Sequence, residues 1–156
     1  LAQNLRLPDH VKFRFEFVPE EERIAHYAAC DVAVFPSIYE PFGIVSLEAM
    51  SMAKPLIVGA QGVVGFREQV VPSGPDQNGV HVNGGNAADI AWGIKGVLSD
   101  PDTAKQWGEN GRKRVLQYFT WRKAAEQTLQ IYETLMHPPE QAEFKTANLT
   151  EKLVRT

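Results

Sequence analysis

The chain has 156 residues, 44% of them hydrophobic and 22% charged, with 12 Gly and 10 Pro; this is the make-up of an ordinary globular domain and excludes collagen-like and wholly disordered classes. At this length one core can bury roughly two thirds of the surface of the unfolded chain, so no covalent staples are needed. With 16 Lys and Arg against 19 Asp and Glu the net charge is −3, which leaves no basic excess for a nucleic-acid backbone and argues against nucleic acid as a partner.

The single cysteine, Cys30, excludes an intramolecular disulfide and a cysteine-based metal cluster, and it fits a reducing compartment, so a cytoplasmic location is expected. No apolar run approaches the roughly 18 residues that a membrane-spanning helix needs, so no membrane span is expected. The sequence starts at Leu1 rather than Met, in what reads as the approach to a strand, and is expected to be a piece of a longer polypeptide.

In chain order, VKFRFEFV over 11–18 sets Val11, Phe13, Phe15 and Phe17 on one face and Lys12, Arg14 and Glu16 on the other, which predicts a strand. Pro19 ends it. Glu20, Glu21 and Glu22 then load the first turn of a helix running to about Cys30, where negative charge complements the dipole. The apolar run DVAVFPS at 31–37 predicts a strand covered on both faces. A loop at 38–42 leads to a helix from about Gly43 to Ala53, a buried strand PLIVGA at 55–60, a Gly-containing turn at 61–65 and a short helix at 67–71. After the loop SGPDQNG comes a short strand at 80–82. Ile90, Ile94, Val97 and Leu98 recur at helical spacing over 87–98, Pro101 opens the next helix, and Thr120 is the candidate N-cap of another that runs to the break at Pro138 and Pro139. Residues 1–137 read as one domain and 138–156 as a tail.

Strands alternating with helices imply an α/β fold, a Rossmann-like parallel sheet with helices on both faces, right-handed crossovers and ligands at the carboxyl ends of the strands. The site is then expected on the loops after residues 17, 37, 60 and 82. The most informative of these is Tyr39-Glu40-Pro41-Phe42-Gly43. A glycine at the helix start lets a ligand approach the backbone, and the N–H groups of Phe42, Gly43 and Ile44 leave the helix at its positive dipole end, where an anion fits. The alternative is a plain solvated helix end. A branched side chain at Gly43 is expected to impair binding while the fold largely survives.

Glu48 is the one charged residue between Gly43 and Ala53, among Ile44, Val45, Leu47, Ala49, Met50 and Met52. A buried carboxylate needs hydrogen-bond partners. Ligand hydroxyls such as those of a ribose would serve, and so would a partner from the protein itself. The four histidines lack metal-ligand spacing, so no metal is expected. Trp92, Trp107 and Trp121 are expected in the core, and the basic run Arg112-Lys113-Arg114 on a solvated helix face.

The segment Glu40-Pro-Phe-Gly-Ile-Val-Ser-Leu-Glu48, two glutamates separated by seven residues and followed by Ala-Met, resembles the signature of retaining glycosyltransferases of the group 1 type, close relatives of the glycogen and starch synthases. PEEERIAHYAACDVAVFPS before it and KPLIVGAQGVVGFREQV, NGVHVN, AADIAWGIKGVLSDP and FTWRKAAEQTLQIYETL after it agree in order, from about Val11 to Met136. The resemblance implies the C-terminal, donor-binding half of a GT-B enzyme that transfers a sugar from a nucleoside diphosphate sugar to an acceptor, without a cofactor. By position, Glu40 would contact donor-sugar hydroxyls and act in catalysis; Pro41, Phe42, Gly43 and Ile44 would hold the diphosphate; Glu48 would bind the ribose. The acceptor sugar or glycan would be held by an N-terminal domain, and an Arg and a Lys that grip the diphosphate in the family would lie upstream of Leu1, so the chain alone is expected to be inactive.

Three positions depart from the family pattern. Phe15-Glu16-Phe17 stands where F-x-G is common, Val64 replaces the first Gly of a Gly-Gly turn whose second is Gly65, and Lys54 stands where Gly or Thr is common. The competing readings are a nucleotide-sugar epimerase, a glycogen phosphorylase relative and a nucleotide-binding module without catalysis. Epimerases of this shape lack the E-P-F-G loop with a second Glu, and phosphorylases need a lysine-bound pyridoxal phosphate.

Overall fold

The computed structural model describes residues 4, 5, 7 and 10–137; the tail read at 138–156 lies outside them. The chain divides into two compact units, Leu1–Leu116 and Gln117–Thr156. The first holds a parallel sheet of three strands, β1 (Ala33–Phe35), β3 (Leu56–Gly59) and β5 (Gly79–Val82), in the order β1-β3-β5. Ala33, Val34 and Phe35 face Leu56, Ile57 and Val58, and β3 in turn pairs with β5 from Leu56↔Gly79 to Gly59↔Val82. All four residues of β3 are buried, as a central parallel strand read from a continuous apolar run must be.

Helices cover both faces. On one side α4 (Ala87–Leu98) lays Ile90, Ile94 and Val97 over Ile57 and Val82, joined by Trp107 of α5 (Pro101–Tyr118). On the other, α2 (Ile44–Ser51) buries Ser46, Leu47, Ala49 and Met50. The helix α1 (Glu20–Ala29) begins at its three glutamates as expected, and Asn86 caps α4 by accepting from the N–H groups of Ala88 and Asp89. In the second unit, α6 (Trp121–Met136) is capped by Thr120, whose hydroxyl accepts from Lys123 N at 3.1 Å.

Two expectations are corrected. Residues 11–18 form no strand: Phe13, Phe15 and Phe17 are 59%, 90% and 86% exposed, and no described strand lies beside them. The two-residue period survives, since the rings of Phe13 and Phe15 stack with centroids 5.6 Å apart; alternation fixes which side chains share a face, whereas a ladder also needs a neighbour. Trp92 and Trp121 are exposed and only Trp107 joins the core, because Trp92 lies on the side of α4 opposite Ile90, Ile94 and Val97. In the basic run Arg112 and Lys113 are exposed as expected and Arg114 is half-buried, and the two arginines also tie down helix ends. Arg112 donates to Ser51 O at the end of α2, and Arg114 donates to Gln69 O at 2.9 Å and Glu68 O at 2.8 Å at the end of α3 (Phe66–Gln69), where terminal carbonyls attract cations.

At the end of α2 the left-handed backbone falls on Ala53, with φ 53°, the residue before Lys54. Ala53 N donates to Met50 O at 2.9 Å and Lys54 N to Ala49 O at 3.2 Å, the paired bonds of a Schellman ending, whose penultimate residue is left-handed. An L side chain is disfavoured there, so Ala53→Gly is expected to raise the unfolding free energy by up to about 1 kcal/mol, after allowing for glycine's larger unfolded-state entropy. Urea titration checks this, and a loss of stability would show that the Ala53 methyl contributes packing that outweighs its backbone strain.

Candidate functional site

The loop between β1 and α2 is built by long-range ties. A two-residue strand, β2 (Tyr39–Glu40), pairs in parallel with β4 (Val63–Val64) in the turn after β3, so that Glu40 faces Val64. Gly65 N donates to Glu40 O at 2.7 Å, and a Cβ at Gly65 would meet Pro41 O at 2.5 Å and Phe42 Cα at 2.8 Å. The glycine kept at 65 therefore serves close backbone approach between the two loops.

Gln69, fully buried on α3, donates from Nε2 to Phe42 O at 2.6 Å. The Ser46 hydroxyl lies at 2.8 Å from Gly43 O and also against Gln69 Oε1, and Ser46 N donates to Gly43 O at 3.2 Å. The peptides are trans, so each carbonyl and the N–H that follows it point in opposite directions. Holding the carbonyls of Phe42 and Gly43 inward aims the N–H groups of Gly43 and Ile44 outward, at the positive end of α2. No side chain caps this end. The start of α2 is thus held in place by Gln69 and Ser46, which sequence reasoning missed. Ser46, three residues after the helix-starting glycine, was the available signal.

Gly43 itself has φ 81°, and a Cβ there would run into the ring of Phe66, a fully buried side chain. The expectation that the fold tolerates a branched residue at 43 is therefore corrected: the position is glycine for conformational and packing reasons before any ligand is considered. Around it Ile38, Tyr39, Phe42, Ile44 and Val63 are exposed, at 51% to 70%, an apolar rim on the carboxyl side of the sheet.

Glu48 sits on the next turn of α2 and already has partners. Arg23 of α1 spans its carboxylate, Nε to Oε2 at 3.2 Å and Nη2 to Oε1 at 3.1 Å. Tyr27, one turn further along α1, has its phenol pushed above the ordinary value by burial, then by the Glu48 charge and a hydrogen bond to Glu48. Of the two partners left open by the sequence, a protein partner is present. The carboxylate side chain remains 29% exposed, so solvent still reaches it. The signal missed was Arg23 itself, the one Lys or Arg in a helix that opens on three glutamates.

Among the described residues no group of three or more His, Cys, Asp or Glu is placed to hold a metal, and no helix is long and apolar enough to cross a membrane. A depression of about 460 Å³ lined by Cys30, Lys54 and Lys105 opens at the amino ends of the strands, away from the Glu40 loop.

A parallel sheet covered on both faces, with a glycine-started helix at the carboxyl end of its strands, defines a Rossmann-like α/β protein of the kind expected in one half of a GT-B fold. Residues 1–114 match the family described as Glycosyl transferases group 1. The chain belongs to this family, which sets aside the epimerase and phosphorylase readings. It is 39% identical over 109 residues to alpha-maltose-1-phosphate synthase of Mycobacterium tuberculosis, across 67% of this chain and 27% of that protein. Sucrose-phosphate synthase from Thermosynechococcus elongatus superposes with a TM-score of 0.73 at 38% identity over 86% of this chain and 32% of that one. Anabaena HepE, solved in complex with UDP and glucose, gives a TM-score of 0.70 at 28% identity over 87% of this chain and 34% of that one. The chain thus spans about a quarter to a third of the length of these relatives.

Proposed function

We propose that this chain is the donor-binding domain of a retaining glycosyltransferase that moves a sugar from a nucleoside diphosphate sugar to an acceptor sugar or glycan. The observation that carries the reading is the start of α2. The carbonyls of Phe42 and Gly43 are tied inward by Gln69 and Ser46, and a carboxylate, Glu48, stands one turn further on. In this reading Pro41, Phe42, Gly43 and Ile44 form the backbone cradle of the diphosphate, Glu48 takes ribose hydroxyls, and Glu40 takes hydroxyls of the transferred sugar. Pre-aimed N–H groups and the helix dipole stabilise negative charge as it grows on the departing diphosphate, and they need no reorganisation at that moment. The departing phosphate itself accepts the acceptor's proton, so the chain supplies no separate base. That Anabaena HepE was solved with UDP and glucose supports a nucleotide sugar as ligand. Cys30, a free thiol, fits a cytoplasmic setting.

Acceptor binding belongs in this proposal to a second domain, because in-line attack and exclusion of water need two walls of a cleft. The purified 156-residue chain is therefore expected to transfer no sugar above a Glu40→Ala control. In a thermal-shift screen with nucleoside diphosphates it is expected to bind at millimolar order, about −4 kcal/mol. Turnover by the chain alone would overturn the two-domain assignment, and absence of any nucleoside diphosphate binding by the full-length enzyme would overturn the donor site.

A further inference from the structure

Arg23 is the feature of the site that neither the proposed diphosphate cradle nor the sugar contacts absorb. Its guanidinium reaches across 25 residues of sequence to both oxygens of Glu48. The group is only partly buried, 36% exposed against 29% for its partner. An ion pair this open contributes little to folding, so its value is sought in what it does to the carboxylate. A fork that meets both oxygens at once fixes the plane of the carboxyl group, which a single-point contact does not. Tyr27, one turn along α1, lies close enough that burial, together with the Glu48 charge, raises its phenol above the ordinary value. An ionised carboxylate offers about four acceptor positions, and after these contacts the capacity that remains is confined to a defined direction.

The charge balance points the same way. A bare Glu48 carboxylate one turn from the start of α2 opposes any diphosphate bound there, at a separation where two charges of like sign still interact across a partly dry surface. The Arg23 cation offsets that repulsion. We infer that Arg23 is a positioning residue for the nucleotide: it orients and neutralises Glu48 so that its remaining lone pairs accept the ribose hydroxyls of a nucleoside diphosphate. The inference rests on the ribose role proposed for Glu48.

The test uses the full-length enzyme and calorimetry with whichever of UDP, ADP or GDP it binds most tightly, alongside the dideoxy counterpart that lacks both ribose hydroxyls. The ratio of the two affinities isolates recognition of the ribose from stability and from the diphosphate. The parent is expected to favour the natural nucleotide by about tenfold or more, and Glu48→Gln to remove most of that preference. Arg23→Leu and Arg23→Lys are both expected to cut the preference by about threefold to tenfold, because lysine restores the charge but not the fork. Donor KM should rise while kcat at saturating donor stays within about twofold, as for lost binding that is equal in ground and transition states.

If Arg23→Leu is folded by circular dichroism and keeps the parental preference while Glu48→Gln loses it, Arg23 is a structural partner only and the inference falls alone. If Arg23→Lys keeps the full preference, the fork is not the device and orientation is refuted. If Glu48→Gln keeps the preference, the ribose role of Glu48 fails and the inference fails with it.

Discussion

Gly43→Ala is expected to destabilise the protein by about 2–5 kcal/mol, as the left-handed backbone and the encroachment on Phe66 act together. The backbone at Gly43 has φ 81°, in the region an L side chain avoids, and the new methyl would overlap Cε1 at the edge of the Phe66 ring. That ring has nowhere to go. It is fully buried and its centroid lies 6.0 Å from that of Phe35 on β1, so relief of the clash must move either the sheet or the loop that carries Glu40. The measurement is the shift of the urea midpoint relative to the parent. A companion, Gly43→Ala with Phe66→Leu, separates the two causes, because a smaller side chain at 66 relieves the overlap and leaves the strain at φ 81°. A single mutant within about 0.5 kcal/mol of the parent would mean that the loop relaxes freely, against the tight packing described here.

Glu48→Gln is expected to weaken nucleoside diphosphate binding by the full-length enzyme by about 1–3 kcal/mol, the loss of charge-assisted hydrogen bonds to the ribose. Its effect on folding should be much smaller. Breaking the pair with Arg23 leaves two groups that are 36% and 29% exposed, and water takes over much of what each one loses, so the stability cost stays below about 1 kcal/mol. This separation between binding and stability distinguishes a ligand-facing carboxylate from a structural one. Calorimetry and a denaturant titration on the same preparation measure both quantities; equal affinity of variant and parent would remove Glu48 from the nucleotide site.

Several features of the site were legible in the sequence because the interactions that decide them are local. The start of α1 follows from three successive glutamates, whose charge complements the helix dipole, and that of α6 from Thr120, which accepts from an N–H three residues on. The burial of β3 follows from its unbroken apolar run. The helix start at Gly43 and the isolation of Glu48 among apolar neighbours were equally open to inspection, and so was the likeness to the group 1 glycosyltransferases that the family match later established.

Tertiary structure decided what those groups touch. Residues 11–18 carry a strand's alternation and yet form no strand, since a ladder depends on a neighbour that the segment's own pattern does not specify. Gln69 finds the Phe42 carbonyl 27 residues away, Arg23 finds Glu48 across 25, and Arg114 finds the end of α3 across 45 and 46. A buried carboxylate dictates that a partner must exist, but several candidates satisfy that demand equally, and the choice falls to whichever helix the packing of the core brings alongside. The same holds for Gly43. Its suitability for a ligand's approach can be read from residue type, whereas its intolerance of a side chain comes from Phe66, placed there by the pairing of β2 with β4 and by the short helix that follows. Local chemistry set the ends of the elements and the need for partners; long-range packing chose the partners, because no nearest-neighbour rule along the chain encodes which distant surfaces meet.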